Sequence, residues 1–395
     1  MKNYANTVLL NQVSVLLNVG VGLALLPFIQ SWFGGAGLLA FGTLFGVKSF
    51  LDIGIGWINS GLAKKLLNES RLTNFLPYYI VNGIFCGIAI STIILVSAFT
   101  VVDLQSALYF SIYVCTIAVS GPLVQAFIGD LKQHCPPTLR ISQQLTFCGL
   151  ILCMNFFGEL KAISDIFLAL SISALMVYTA AHIKFRRMIF VSFDKPLYIK
   201  SIILEARPFL LTTVSTVLLL QLDFFLIMST LPETEAAHYY VIWKLASSML
   251  MFGWRFSEPY AAISRKTDFK IGWPRLPVLA AAAGLPLLYL TFGGYVYEGY
   301  FSLPDIPTEL IVSITLFLSI NSLFRYYYSV SFYTKYVLQS SSWQMVQVVI
   351  KAAFILLFLD GNLYILFLLW AATDAIGTLI LLTLLRHENE VYTKP

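Results

Sequence analysis

Apolar stretches of about twenty residues recur along this chain from one end to the other, and that recurrence leaves few folds open. Inside a bilayer every backbone N–H and C=O must be satisfied within the protein, so only helices and closed barrels can span it. A helix needs ~20 apolar residues to cross ~30 Å of hydrocarbon, whereas a barrel strand needs ~10. Spans of helical length are predicted at Val8–Gln30, Gly37–Ser60, Leu76–Phe99, Leu104–Phe127, Leu139–Phe157, Ile166–Ile183, Pro208–Leu231, Ala237–Ile263, Leu276–Phe292, Leu310–Phe332, Ser342–Leu359 and Leu363–Leu385. Of the 395 residues, 58% are hydrophobic and 11% charged, and the mean hydropathy of +0.80 lies outside the soluble globular range. The expectation is an all-α polytopic membrane protein with twelve transmembrane helices.

Loop charge tests that count, because a missed or invented span would invert every later loop. With the N-terminus inside, the predicted inner loops collect almost all basic residues outside the spans, among them Lys64, Lys65, Arg71, Lys132, Arg140, Lys184, Arg186, Arg187, Lys195, Lys200, Arg265, Lys266, Lys270 and Lys335. The outer loops hold only Lys161 and are otherwise acidic. Both termini are therefore expected on the cytoplasmic side. The net charge of +5 reflects this topology and gives no reason to expect a nucleic-acid partner. The first apolar run carries Asn11 and Asn18 and lacks a basic leader and small-residue cleavage site, so it reads as a retained helix.

The longest inner connection follows the sixth span, which divides the chain into an N-terminal six-helix lobe (1–190), a cytoplasmic linker (191–207) and a C-terminal six-helix lobe (208–395). The two halves open alike: a helix, a short outer loop, then an aromatic start to the next helix, with SWFGGAG in the first and LPETEA in the second. Six helices per half give both repeats the same orientation, so the lobes are expected to be related by a pseudo-two-fold axis along the membrane normal. The outer segment 293–309, with Tyr295, Tyr297, Tyr300 and Phe301, suits the membrane interface.

Charge inside the spans is the second informative feature. Lys48, Asp52, Asp223, Lys244, Arg255, Glu258, Arg325, Lys351 and Asp374 lie within apolar segments, where a charge at the bilayer centre costs ~2.5–3.5 kcal/mol on insertion scales. Polar residues fall on single helix faces: Lys244 with Ser248 and Arg255, Gln344 with Gln347 and Lys351, Asn321 and Ser322 with Arg325, Thr212 and Thr216 with Asp223. Such stripes serve two purposes, holding helices together or lining a polar path. Lys48 with Asp52 and Arg255 with Glu258 have the spacing of local ion pairs, and Arg255, Glu258 and Arg325 lie near enough to the inner surface to snorkel. Lys351 and Asp374, near mid-span, cannot easily do so. A cavity with surplus fixed cations suits an anionic substrate, and a buried carboxylate can exchange protons or sodium during a cycle.

Other chemistry is missing from the sequence. No Gly-rich loop with Lys and Ser/Thr is present to cradle ATP. Cys86, Cys115, Cys135, Cys148 and Cys153 and the scattered histidines show no metal-ligand spacing, so no cofactor or metal is expected. Pro27, Pro122, Pro259 and Pro286, with Gly20, Gly22, Gly54 and Gly56, are candidates for kinks or close helix packing.

Two stretches resemble the Wzx-type polysaccharide flippases of the multidrug/oligosaccharidyl-lipid/polysaccharide exporter superfamily. The first is FGGAGLLAFGTLFGVKSFLDIGIG, with Phe41 and Gly42 and with Asp52, Ile53 and Gly54; the second is QLDFFLIMSTLPETEAAHYYVIWKLASSM, with Asp223, Tyr239, Tyr240 and Lys244. Many members carry a basic residue after the aspartate of the second stretch, where this chain has Phe224. The resemblance implies two six-helix lobes around a cavity with alternating access. It also implies a polyprenyl-pyrophosphate-linked oligosaccharide repeat unit, of O-antigen or capsule, moved to the outer leaflet of the bacterial inner (plasma) membrane. On that reading Lys48, Lys244, Arg255, Arg325 and Lys351 contact substrate, and Asp52, Asp223 and Asp374 couple to protons or sodium. Membrane lipids and a polysaccharide polymerase are its expected partners. An ion-coupled multidrug exporter of the same fold and a membrane glycan polymerase are the alternatives.

Overall fold

The computed structural model describes residues 2–68, 74–100, 102–129, 132, 134–189, 199–230, 242, 245–246, 276–301, 306–332, 336–358 and 363–392, and these are helical apart from short turns, with no strand among them. The helices are α1 (Lys2–Asn68), α2 (Leu76–Phe99), α3 (Leu104–Gly129), α4 (Cys135–Phe156), α5 (Ile163–Phe185), which runs into a single 3-10 turn (Arg186–Met188), α6 (Ile199–Thr230), α7 (Leu276–Phe301), α8 (Thr308–Phe332), α9 (Val337–Phe358) and α10 (Leu363–Tyr392). Every predicted span lies on one of them except Ala237–Ile263, most of which falls outside the described residues. Among those residues, eight helical segments are long and apolar enough to cross a membrane. The chain is thus a multi-pass, all-α membrane protein.

Two compact units divide the chain, Lys2–Thr213 and Val214–Pro395. In the first, an aromatic column joins α1, α3 and α5: Phe45 meets Phe110 at 5.2 Å between ring centroids, Phe110 meets Phe167 at 5.4 Å, and Phe41 stacks on Phe167 at 5.9 Å. Lipid tails are as apolar as leucine, so helices in a bilayer associate through close packing and polar contacts instead of water exclusion. Two glycines of α1 show this. A Cβ on Gly54 would overlap the Phe85 ring of α2, and one on Gly61 would stand 2.9 Å from the Ala206 backbone of α6. In the second unit α8 and α10 pack along much of their length, with Phe317 of α8 at 5.8 Å from Phe367 and 5.7 Å from Trp370 of α10.

Two predicted loops are helix instead. The SWFGGAG segment breaks α1 only at Gly34, whose φ of 68° and ψ of −167° are open to a residue without Cβ, so one sharp kink replaces a loop. The segment beginning at 293 continues α7 to Phe301. Tyr295 is exposed as an interface aromatic should be, but Tyr297 is fully buried, with its hydroxyl 2.5 Å from that of Tyr289. Tyr289 and Tyr297 are two turns apart on one face, which the loop assignment concealed. Likewise α6 begins at Ile199 and passes through Pro208, so 199–207 are helical.

Candidate functional site

The second unit contains a buried polar cluster built by three helices. Helix α10 contributes Asp374, which has no solvent exposure; α9 contributes Gln347 and Lys351; α8 contributes Asn321 and Arg325. Lys351 Nζ donates to Asp374 Oδ1 at 3.1 Å, Gln347 Nε2 donates to the same oxygen at 3.0 Å, and Asn321 Nδ2 donates to Oδ2 at 2.5 Å. A carboxylate only accepts, so both amides must turn their nitrogens toward it. Their oxygens, Asn321 Oδ1 and Gln347 Oε1, are left buried with no hydrogen-bond partner, as is Trp343 Nε1 beside them. The ammonium of Lys351 also lies 5.0 Å from the centre of the Phe317 ring and 5.6 Å from that of Trp370, distances at which ring faces attract a cation.

Helical spacing explains how the cluster assembles. Gln344, Gln347 and Lys351 share one face of α9. Gln344 reaches α6, accepting a hydrogen bond from Ser215 at 3.0 Å and donating to Thr216 Oγ1 at 3.3 Å, while Gln347 and Lys351 reach α10. On α10, Gly377 lies one turn beyond Asp374. A Cβ there would come within 2.3 Å of Trp343 Nε1, 2.8 Å of Phe324 and 2.9 Å of Gln347 Nε2, so its missing side chain is what lets α8 and α9 close around the aspartate.

Stability alone does not explain such a pair. At an effective dielectric near 20 the attraction at this distance is ~5 kcal/mol, and removing two charges from water costs several kcal/mol per ion. The two nearly cancel, so a well-packed apolar pair would hold the helices as firmly.

Arg325 is also buried, 3% exposed, with its guanidinium carbon 5.4 Å from the Phe324 ring centre and 5.6 Å from that of Tyr328. Of the two courses its position in the span allows, snorkelling to the surface or burial, it takes burial. The reason is that its own helix supplies two aromatic faces on the inward side.

The first unit carries the other predicted charges. Lys48 and Asp52 form the expected i,i+4 pair at 2.6 Å, with the lysine side chain 17% and the aspartate 40% exposed. On the next helix, α2, Asn82 donates to the Ala118 carbonyl at 2.9 Å and to Asn59 Oδ1 at 3.4 Å, while Gly121 leaves space for the Asn59 amide. Asn18 accepts from Gln144 at 3.0 Å. Asp223 lies on α6 with its side chain outside the described set, and Lys244, Arg255 and Glu258 fall outside the described residues. Sequence reasoning missed Trp343 and Gly377, although a lone glycine one turn from a buried aspartate in a leucine-rich helix was a usable signal. It also treated Lys351 and Asp374 as separate groups, and the structure brings them together. Among the described residues no group of His, Cys, Asp or Glu is arranged to hold a metal.

No sequence-family model matches the chain, and no curated protein matches it in sequence. Solved structures do match, over almost the whole length. A multidrug resistance MATE family transporter of the MOP superfamily, in its outward-facing conformation, superposes with a TM-score of 0.75 at 12% identity, covering 100% of this chain and 97% of the other. A mutant of the Vibrio cholerae MATE transporter VcmN gives 0.77 at 13% identity, covering 99% and 97%. A MOP superfamily transporter from Pyrococcus furiosus, for which reversed binding-pocket polarity suggests a different function, gives 0.71 at 12%, covering 98% and 96%. Agreement of this extent at such low identity establishes the architecture: the chain has the fold of the MATE transporters of the MOP superfamily, and the twelve-helix, two-lobe layout read from the sequence fits it.

Proposed function

We propose that this chain is an ion-coupled exporter that works by alternating access in a bacterial inner membrane, with both termini cytoplasmic. Its cargo on this reading is an amphipathic organic molecule of the multidrug type, and Asp374 is the coupling carboxylate with Lys351 as its internal counter-ion. The observation that carries the proposal is the Lys351–Asp374 pair, buried inside two membrane spans of a chain whose whole length takes the fold of a multidrug resistance MATE family transporter. A tethered cation that must leave when a proton or sodium ion neutralises the carboxylate converts ion binding into helix movement. The same pairing weakens the case for an anionic cargo. Lys48 and Lys351 each have a carboxylate partner, so two of the five cations expected to meet substrate are neutralised locally.

Arg325 favours a second reading, the flipping of a polyprenyl-pyrophosphate-linked oligosaccharide, toward which the two Wzx-like stretches also point. A buried guanidinium is suited to bidentate capture of phosphate oxygens, with Lys244 and Arg255 as its companions in that role. Reconstituted protein separates the two: efflux of a cationic dye from proteoliposomes without movement of a fluorescent lipid-linked oligosaccharide supports multidrug export. Leaflet exchange of the lipid-linked sugar without dye efflux overturns it in favour of flipping.

A further inference from the structure

A groove lies in the first unit, along α3. Helices α2 and α5 pack on either side of α3, and between them runs a groove of about 820 Å³. Along α3 it follows one face, from Leu108 through Ile112, Cys115, Thr116 and Val119 to Ser120. Twelve helical steps of 1.5 Å, from Leu108 to Ser120, make it ~18 Å long, close to the ~15 Å of one leaflet's hydrocarbon. Its rim is apolar and open: Leu108 is 45%, Ile112 43%, Val119 39% and Leu175 43% exposed. These helices are membrane spans, so what fills an open apolar groove on their flank is hydrocarbon.

The floor demands no polar ligand. Ser111 donates to the Ala107 carbonyl at 2.8 Å, Thr116 to Ile112 at 2.8 Å and Ser120 to Thr116 at 2.7 Å, so the hydroxyls are satisfied within α3. One end is different. Tyr79 and His182 line it and meet at 3.3 Å. His182 Nδ1 lies 2.8 Å from the Tyr178 carbonyl, which only accepts, so Nδ1 carries the proton and Nε2 accepts from the Tyr79 hydroxyl. In the residues that follow His182, Lys184, Arg186 and Arg187 are exposed, and Lys132 reaches Met188 at 3.6 Å. The alkyl-lined trough thus ends at the Tyr79–His182 pair, and three exposed cations follow His182 within five residues.

We propose that this groove holds one acyl chain of an anionic glycerophospholipid of the inner leaflet, with the phosphate held beyond the Tyr79–His182 end by Lys184, Arg186 and Arg187. Charge complementarity selects an anionic head, and a trough of about one leaflet's depth suits an ordinary acyl chain, whereas a polyprenyl chain would overrun it. The Asp374 cluster belongs to the other unit.

Native mass spectrometry of the full-length protein, offered phosphatidylglycerol and phosphatidylcholine with the same chains, tests the idea. Phosphatidylglycerol should be retained in preference. Neutralising two cations (Arg186→Gln with Arg187→Gln) should weaken its retention about 30-fold, at roughly a factor of five per surface cation. Thr116→Trp, which fills the trough, should abolish retention of both lipids, whereas Thr116→Val should leave it intact. Equal retention of the two lipids, or unchanged retention in Thr116→Trp, would overturn the proposal. So would displacement of phosphatidylglycerol by equimolar polyprenyl phosphate, which would make the trough a berth for a lipid carrier.

Discussion

Removing Lys351 is the most searching perturbation of the buried cluster. In Lys351→Met the stem is replaced by a side chain of similar length, and Asp374 keeps its hydrogen bonds from Gln347 at 3.0 Å and Asn321 at 2.5 Å but loses its cation. The carboxylate has no exposure, so its charge has no route to water. Breaking one side of a buried pair costs about 3–5 kcal/mol, whereas replacing both partners by apolar groups is often neutral. We expect Lys351→Met and Asp374→Leu each to lower stability by about 3–5 kcal/mol in SDS-titration unfolding of the detergent-solubilised protein. The double variant should recover most of the loss, leaving it within about 1 kcal/mol of wild type apart from the two amides that lose their acceptor. The double-mutant cycle then reports a coupling energy of several kcal/mol between α9 and α10. Additive single losses, or single losses below about 1 kcal/mol, would refute the view that the pair is closed and dry.

Three further outcomes follow from packing and hydrogen bonding. Gly377→Leu should destabilise by at least about 1–3 kcal/mol in the same unfolding assay, because its side chain must displace Trp343, Phe324 and Gln347; a neutral effect would mean α8 and α9 do not close over α10 as described. Gly34→Ala and Gly34→Asn should each cost about 1–3 kcal/mol, because φ 68° with ψ −167° is a backbone conformation essentially confined to glycine, and neutral effects of both would argue against the kink. Asn82→Leu should cost only about 0.6 kcal/mol, the mean value of interhelical hydrogen bonds in membranes, despite complete burial and two hydrogen bonds; a loss above about 2 kcal/mol would show that the Asn59–Asn82 contact is worth more than glue.

How much of this was legible in the sequence depends on the kind of information each feature needs. Spans of twenty apolar residues announce their helices directly, and the Lys48–Asp52 pair follows from i,i+4 spacing within one helix. The face of α9 that carries Gln344, Gln347 and Lys351 was equally readable. What spacing does not contain is which helix stands opposite. Lys351 and Asp374 therefore read as two separate charges, one for a substrate and one for an ion, when they are partners across α9 and α10. Arg325 stayed open for a related reason: distance along a span allows snorkelling as well as burial, and the rings of Phe324 and Tyr328 hold the guanidinium inside. Tyr297 and the SWFGGAG segment misled because glycine and tyrosine clusters signal loops in general, while one positive φ at Gly34 and one buried hydroxyl pair suffice to keep each segment helical.

Ion flux through the reconstituted protein tests the coupling proposal most directly. In proteoliposomes carrying an imposed proton or sodium gradient, dye efflux by the wild type should follow the gradient and stop when an ionophore collapses it. Asp374→Asn keeps the shape of the cluster but removes the titratable oxygen, and it should leave efflux down the cargo's own gradient while abolishing its dependence on the ion gradient. Efflux by Asp374→Asn that still rises and falls with the imposed gradient as the wild type does would contradict the role assigned to this carboxylate.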